Sequence, residues 1–179
     1  MPLDMEGEFL KLARRILGNP QELYRMMTLN PDNMRISLMG VDGMLILPSS
    51  TFTHLLKGTD FRKAGRRLGE ELFSRFTEEY SFEVERLAPK DLFEVALKLA
   101  RTAGYGDISL RWGKIKRGRF RIETRKTVEE EMGVENRDFT LGLIEGFASS
   151  AGGDIRDLTS SVEGEVTVIE GEFKAKKRV

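Results

Sequence analysis

Between Asp60 and Tyr80 the apolar residues Phe61, Ala64, Leu68, Leu72, Phe73 and Phe76 recur on one stripe, which predicts the longest helix of the chain, capped by Asp60. Gly65 and Gly69 interrupt it four residues apart, one turn above the other, as a smooth notch. The stretch from Thr140 to Phe173 repeats the device. Leu141, Ile144, Phe147 and Ala148 share a helical face, and Gly142 and Gly146 form a second notch. Gly152-Gly153 then ends the helix, because glycine takes the left-handed terminal conformation without penalty. A helix interior loses about 1 kcal/mol per Gly relative to Ala. The two notches therefore predict close backbone contacts, of one helix on the other or across a two-fold axis.

Three further stretches read as helical. Met5 to Leu17 is amphipathic, with Phe9, Leu12, Ala13, Ile16 and Leu17 on one side and Lys11, Arg14 and Arg15 on the other. Gly18-Asn19-Pro20 closes it and opens a second piece bearing Leu23, Tyr24, Met26 and Met27, which stops by Asn30-Pro31. This pair reads as a docking hairpin or a dimer arm, and lacks the basic face of a helix-turn-helix reader. Ala88-Pro89-Lys90-Asp91 starts another helix, with Leu92, Phe93, Val95, Ala96, Leu99 and Ala100 inside and Gly104 at its end.

Elsewhere the period changes to two. Met34 to Leu38 alternates, Val41-Asp42-Gly43 supplies a turn, and Met44 to Leu47 returns. A short helix from Thr51 to Leu56 follows, capped by Ser49 or Ser50. Ile108, Leu110 and Trp112 alternate with polar residues, Lys116-Arg117-Gly118 turns the chain, and Phe120 and Ile122 alternate on the way back. Thr127 to Asn136 is an acidic connector with a helical turn, and strands are expected at Ile155 to Val162 and Glu165 to Phe173, before a basic tail from Lys174 to Arg178. The order predicts an α+β fold, a mainly antiparallel sheet of hairpins packed with helices. Residues 1–33 read as an N-terminal helical arm and 34–179 as the domain.

Composition adds limits. The 179 residues make one ordinary domain with enough chain for a real core. Apolar content of 40% and charged content of 32% are globular values, and no apolar run approaches a membrane span. The acidic start, MPLDMEGEF, is not a signal peptide, which places the protein in the cytoplasm. With no Cys there is no disulfide framework, thiolate metal site or cysteine nucleophile. Abundant Lys, Arg and Glu with few Asn and Gln suit a thermophile. Lys plus Arg and Asp plus Glu both total 29, so a basic surface has to come from local segregation.

No catalytic constellation can be assembled. His54 is the sole histidine, and without a second His or any Cys it reads as a structural or surface residue, not a haem or metal ligand or a triad base. Gly104-Tyr105-Gly106 lacks the strand-then-helix setting of a dinucleotide loop, and Glu129-Glu130-Glu131 reads as a solvated acidic turn. No cofactor or metal is expected. The basic hairpin offers the sharpest alternative. Arg111, Lys114, Lys116, Arg117, Arg119, Arg121, Arg125 and Lys126 stand against one acid, Glu123. Alternation puts Arg111, Arg119, Arg121 and Arg125 on one face, opposite Trp112, Phe120 and Ile122. Single-stranded nucleic acid wants aromatics on the basic side for stacking, so a solvated face over an aromatic core is expected, with docking to an acidic partner as the other use.

Three stretches resemble one family. Ala64-Gly65-Arg66-Arg67-Leu68-Gly69, Ala103-Gly104-Tyr105-Gly106 leading into Ile108-Ser109-Leu110, and Gly142-Leu143-Ile144-Glu145-Gly146-Phe147 look like the long helix, the helix-to-strand passage and the signature helix of the 4-vinyl reductase domain. That domain is related in fold to the TRAPP vesicle-tethering subunits, and the likeness covers roughly Met34 to Phe173. Many members carry metal-binding cysteines before the signature helix and on the last strands. This chain has none, and Ser160 and Ser161 fall near one expected position. The resemblance implies a homodimeric, non-enzymatic domain that holds or senses a small hydrophobic or aromatic ligand, as a regulatory or accessory part. It does not imply reductase activity. Phe52, His54, Leu55, Tyr105, Trp112, Phe139 and Phe147 are the residues expected to line a cavity, and Gly65, Gly69, Gly142 and Gly146 those expected at helix contacts. The alternative is a dimeric scaffold with a packed interior and a protein partner, and nucleic-acid binding through 111–126 ranks below it.

Overall fold

The computed structural model describes residues 27–30, 35–38, 41–44, 56, 58–79, 87–102, 105–113 and 118–176. Its longest helix, α1, spans Phe61–Glu79. Asp60 caps it, its Oδ1 accepting the N–H of Lys63 at 3.0 Å. Phe73 and Phe76 are buried from its apolar stripe, with Leu68 and Leu72 packed at the margin. Helix α2, Pro89–Thr102, turns Phe93, Ala96, Leu97 and Ala100 inward at helical spacing. A single turn, α3, covers Val128–Glu131, and α4 covers Asp138–Ser150. Phe139 to Ile144 and Gly146 to Ala148 of α4 are all buried, so this helix is enclosed almost all round.

Helices α1 and α4 lie side by side and run the same way. A methyl group on Gly142 would overlap the carbonyl of Arg62, and one on Gly146 the carbonyl of Arg66. From the other side, Gly65 faces the Phe139 carbonyl and Gly69 the Leu143 carbonyl. All four glycines thus lie in one intramolecular seam, where backbone meets backbone and Cα–H groups point at carbonyl oxygens. Arg62 borders the seam and grips Glu145 with both ends of its guanidinium, Nη2 to Oε1 at 2.6 Å and Nε to Oε2 at 3.2 Å.

The strands form two antiparallel sheets. β1 (Met27–Asn30), β2 (Arg35–Leu38) and β3 (Val41–Met44) pair in that order. The larger sheet holds β4 (Asp107–Trp112), β5 (Arg119–Arg125), β6 (Gly153–Glu163) and β7 (Val166–Ala175) in the order β4-β5-β7-β6. Phe120, Ile122, Ile169 and Phe173 face the helices from this sheet and are buried. Phe93 of α2 stacks on Phe173 at 5.1 Å between centroids and meets Phe120 at 5.6 Å. The fold is α+β, a mainly antiparallel sheet packed with helices.

Two sequence expectations are corrected. Met27–Asn30 is a strand, not the end of a helix, and pairs with Arg35–Leu38 in the register Met27↔Leu38 to Asn30↔Arg35. Pro31 disfavours helical backbone at Asn30, and a neighbouring strand then takes up the backbone hydrogen bonds. Val41 to Met44, whose first three residues read as a turn, is strand. The helix expected at Met5 to Leu17 and that at Thr51 to Leu56, apart from Leu56, lie outside the described residues.

The seam generates a test of opposing signs. Gly142→Ala gains about 1 kcal/mol of helix propensity but drives a methyl into the Arg62 carbonyl. Steric strain is expected to win, lowering stability by roughly 2 kcal/mol in urea unfolding. A rise in stability would mean the two backbones are farther apart than described.

Candidate functional site

At one end of the larger sheet the start of β4, the end of β5 and the start of β7 come together beside the first turn of α4. The register sets Ile108 opposite Thr124, and Thr124 opposite Thr167. The chain enters through Tyr105 and Gly106, whose φ of 117° is left-handed. A side chain on Gly106 would press on Thr124 Oγ1 at 3.1 Å and on the Arg125 carbonyl at 3.2 Å, so glycine lets the backbone cross directly over the threonine.

The connector after β5 then folds back over this end. Thr127 and Glu130 form a reciprocal capping box: Thr127 Oγ1 accepts from the Glu130 N–H, and Glu130 Oε2 from the Thr127 N–H. This places Glu129 against α4. Its carboxylate, fully buried, accepts the Thr140 N–H at 2.7 Å on Oε1 and the Thr140 hydroxyl at 2.6 Å on Oε2. Arg137, the residue before α4, makes no side-chain cap of its own, so Glu129 satisfies the third N–H of that helix from outside it. Arg137 instead donates to three successive carbonyls, Val134, Glu135 and Asn136, and to Thr167 Oγ1 at 3.1 Å. The Thr167 hydroxyl donates in turn to Glu130 Oε1 at 2.8 Å. The expectation of a solvated acidic turn is therefore corrected: Glu129 is a structural carboxylate held by hydrogen bonds, and Glu130 is part of an ion pair with Arg137.

One atom here stands apart. Thr124 is 1% exposed and its Oγ1 has no hydrogen-bond partner. A buried hydroxyl left unsatisfied costs about 1–3 kcal/mol, which marks it as a place for a polar atom from elsewhere. Tyr105, the residue before the Gly106 that crosses Thr124, packs against the core and meets Phe139 at 6.4 Å between centroids, and burial pushes its phenol pKa up. Tyr105 and Phe139 are thus brought together at this end of the sheet. Trp112 lies at the far end of β4, where its Nε1 donates to Glu94 at 3.4 Å, Lys90 Nζ sits 4.2 Å from its ring centre, and Phe120 and Phe173 meet it edge-on. Phe147 is buried against Phe73 beneath α1, at 6.4 Å. Phe52, His54 and Leu55 lie outside the described residues. Sequence reasoning missed Thr124, Thr167, Glu129 and Arg137. The Thr127-x-x-Glu130 capping pattern was a legible signal, as was a threonine continuing the inward alternation of Phe120 and Ile122.

The basic face changes character in the sheet. Arg121 pairs with Glu123 on its own strand, with Glu163 of β6 at 2.7 Å and with Glu170 of β7 at 3.6 Å. Arg119 lies opposite Glu172, and Arg111 reaches Glu123 at 3.6 Å. The hairpin is basic in sequence, but β6 and β7 supply the counter-charges. Among the described residues no group of three or more His, Cys, Asp or Glu side chains is placed to hold a metal ion. No helix among them is long and apolar enough to cross a membrane.

No family model matches the chain, and no curated protein matches it either. Solved structures do. The phenol-responsive sensory domain of the transcription activator PoxR, with phenol, matches at a TM-score of 0.60 and 15% identity over 88% of this chain and 90% of that one. An Fe(II) unliganded H-NOX protein from K. algicida matches at 0.52 and 10% identity over 97% of each chain. A trafficking protein particle complex subunit 3 from Naegleria fowleri, covalently bound to palmitic acid, matches at 0.50 and 13% identity over 73% of this chain and 92% of that one. At these identities the likeness is one of fold: this chain shares the architecture of a sensory domain, an H-NOX protein and a TRAPP subunit.

Two variants probe the site. Raised in the folded state, the Tyr105 pKa makes stability fall as pH climbs past the usual tyrosine value of about 10, since the unfolded chain loses that proton first. Tyr105→Phe is expected to flatten that alkaline limb of a pH–stability profile and leave neutral pH less affected. Thr124→Val is expected to leave the ligand-free protein as stable as before or more so, because it removes an unsatisfied buried hydroxyl. A marked drop in its melting temperature would show that the hydroxyl already has a partner in solution.

Proposed function

We propose that this chain is a non-enzymatic, homodimeric sensory domain of the 4-vinyl reductase type that binds a small hydrophobic or aromatic molecule and reports it to a partner in the cytoplasm. The observation that carries this reading is the match, over nearly the whole of both chains, to a sensory domain solved with phenol. The neighbours' printed ligands, phenol and palmitic acid, share an apolar body with a polar end. The Tyr105–Phe139 ring pair supplies an apolar contact and the unsatisfied Thr124 hydroxyl, crossed by the adjacent Gly106, a polar one for such a molecule. A haem would need a proximal ligand, and the sole histidine, His54, lies outside the described residues. In this reading residues 34–179 are the ligand-binding unit and 1–33 an arm whose strand β1 joins that unit by pairing with β2.

A dimeric scaffold with a packed interior is the second reading. It is favoured by the α1–α4 seam, where backbone contact leaves no cleft, and by the filled aromatic core of Phe73, Phe93, Phe147 and Phe173. Native mass spectrometry of the purified protein separates the two. Sensory function predicts an added mass lost on denaturation, or uptake of phenol or a fatty acid when supplied, weakened at least about tenfold by Thr124→Val, the loss of one well-made hydrogen bond. Failure to take up any such molecule would move the assignment to the scaffold.

A further inference from the structure

The two edges of the larger sheet differ. Along β4 charges guard the edge: Asp107 pairs with Arg101 at 3.0 Å, Arg111 stands exposed, and Lys90 covers Trp112 at the end. Such charges keep an edge from pairing with another strand. β6, at the opposite edge, carries its charges in its first half and at its last residue, Glu163. Its register slips between Arg156 and Thr159, where Asp157 takes a φ of 51°. This bulge bends the strand and ends the regular inner half. Beyond it, Thr159, Ser160, Ser161 and Val162 are exposed and carry no charge, no Pro and no Gly. Ser160 and Val162 lie opposite Ile169 and Thr167, both buried, so they extend the helix-covered face of the sheet into solvent. Val162 is 63% exposed, the large hydrophobic side chain that stands out among the described residues.

We propose that the outer half of β6 pairs with the same segment of a second copy, antiparallel about a two-fold axis through Ser160, so that two sheets become one. The proposal rests on the homodimeric reading above and adds its interface. Antiparallel pairing about a two-fold axis keeps side chains of one face together, so each residue must meet one an even number of positions away. Centred on Ser160, Thr159 of one copy meets Ser161 of the other, and Leu158 meets Val162. Leu158 already packs at the margin of the core, so each copy lays an apolar neighbour against the exposed valine of the other. Centring on Ser161 sets Val162 against a serine and Asp157 against Glu165, like charges directly opposed. The Ser160 register brings Asp157 toward Glu163 instead, whose carboxylate Arg121 already neutralises at 2.7 Å. The two-fold axis makes the Leu158–Val162 contact twice, once on each side of Ser160.

The test is sedimentation of the full chain with and without charge at the axis. Wild type is expected to dimerise in a concentration-dependent way. S160K alone, or S160E alone, sets like charges face to face across the axis and is expected to weaken association at least about tenfold. An equimolar mixture of the two variants is expected to associate again, because opposite charges then meet. Position 160 is exposed, and unchanged circular dichroism with a cooperative thermal transition will show that each variant folds. Wild type that stays monomeric overturns both the interface and the homodimer. A dimer that S160K leaves intact, or a mixture no tighter than its components, overturns this interface and leaves the homodimer standing.

Discussion

The structure depends on how closely α1 and α4 approach. Four glycines, two from each helix, let carbonyl oxygens of one helix sit where side chains of the other would otherwise stand. Each Gly costs its helix about 1 kcal/mol of propensity. The return is a seam in which two backbones move as one piece, clamped at its border by the Arg62–Glu145 pair. Because α4 is enclosed on its other sides by the sheet and α2, fixing α4 against α1 fixes the core around Phe73, Phe93 and Phe147 as well.

Rigidity in the middle leaves the polar end of the sheet as the part with chemistry to spare. There a buried carboxylate, an arginine and a run of threonines satisfy one another through short hydrogen bonds, with one hydroxyl left over. A network this complete defines the positions of its members well. The unsatisfied Thr124 is conspicuous because everything around it is accounted for.

Much of the fold was legible in the sequence because it is written in local periodicity. The stripes of α1 and α2, the alternation of β4 and β5 and the glycine notches need no knowledge of partners. What was not legible depends on what a residue meets. Met27–Asn30 reads as helical until Arg35–Leu38 is available to pair with it. The hairpin's arginines read as a basic surface until β7 brings Glu170 and Glu172 alongside and β6 brings Glu163. Glu129 reads as solvated until α4 presents an uncapped end to it. Of the residues expected at a cavity, Tyr105 and Phe139 meet, whereas Trp112 packs with Phe120 and Phe147 with Phe73.

Parallel packing of α1 and α4 has an electrostatic consequence. Peptide dipoles within each helix add to a macrodipole, positive at the N-terminal end. Two helices in the same orientation and at backbone contact set those positive ends next to each other, which antiparallel neighbours avoid. Asp60 and Asp138 stand at the two starts, both close enough to act on Arg62, and Glu129 lies directly on the first turn of α4. Three carboxylates thus gather where the backbone itself is most positive. The charge that lets these helices share a direction is supplied by residues outside the glycine seam.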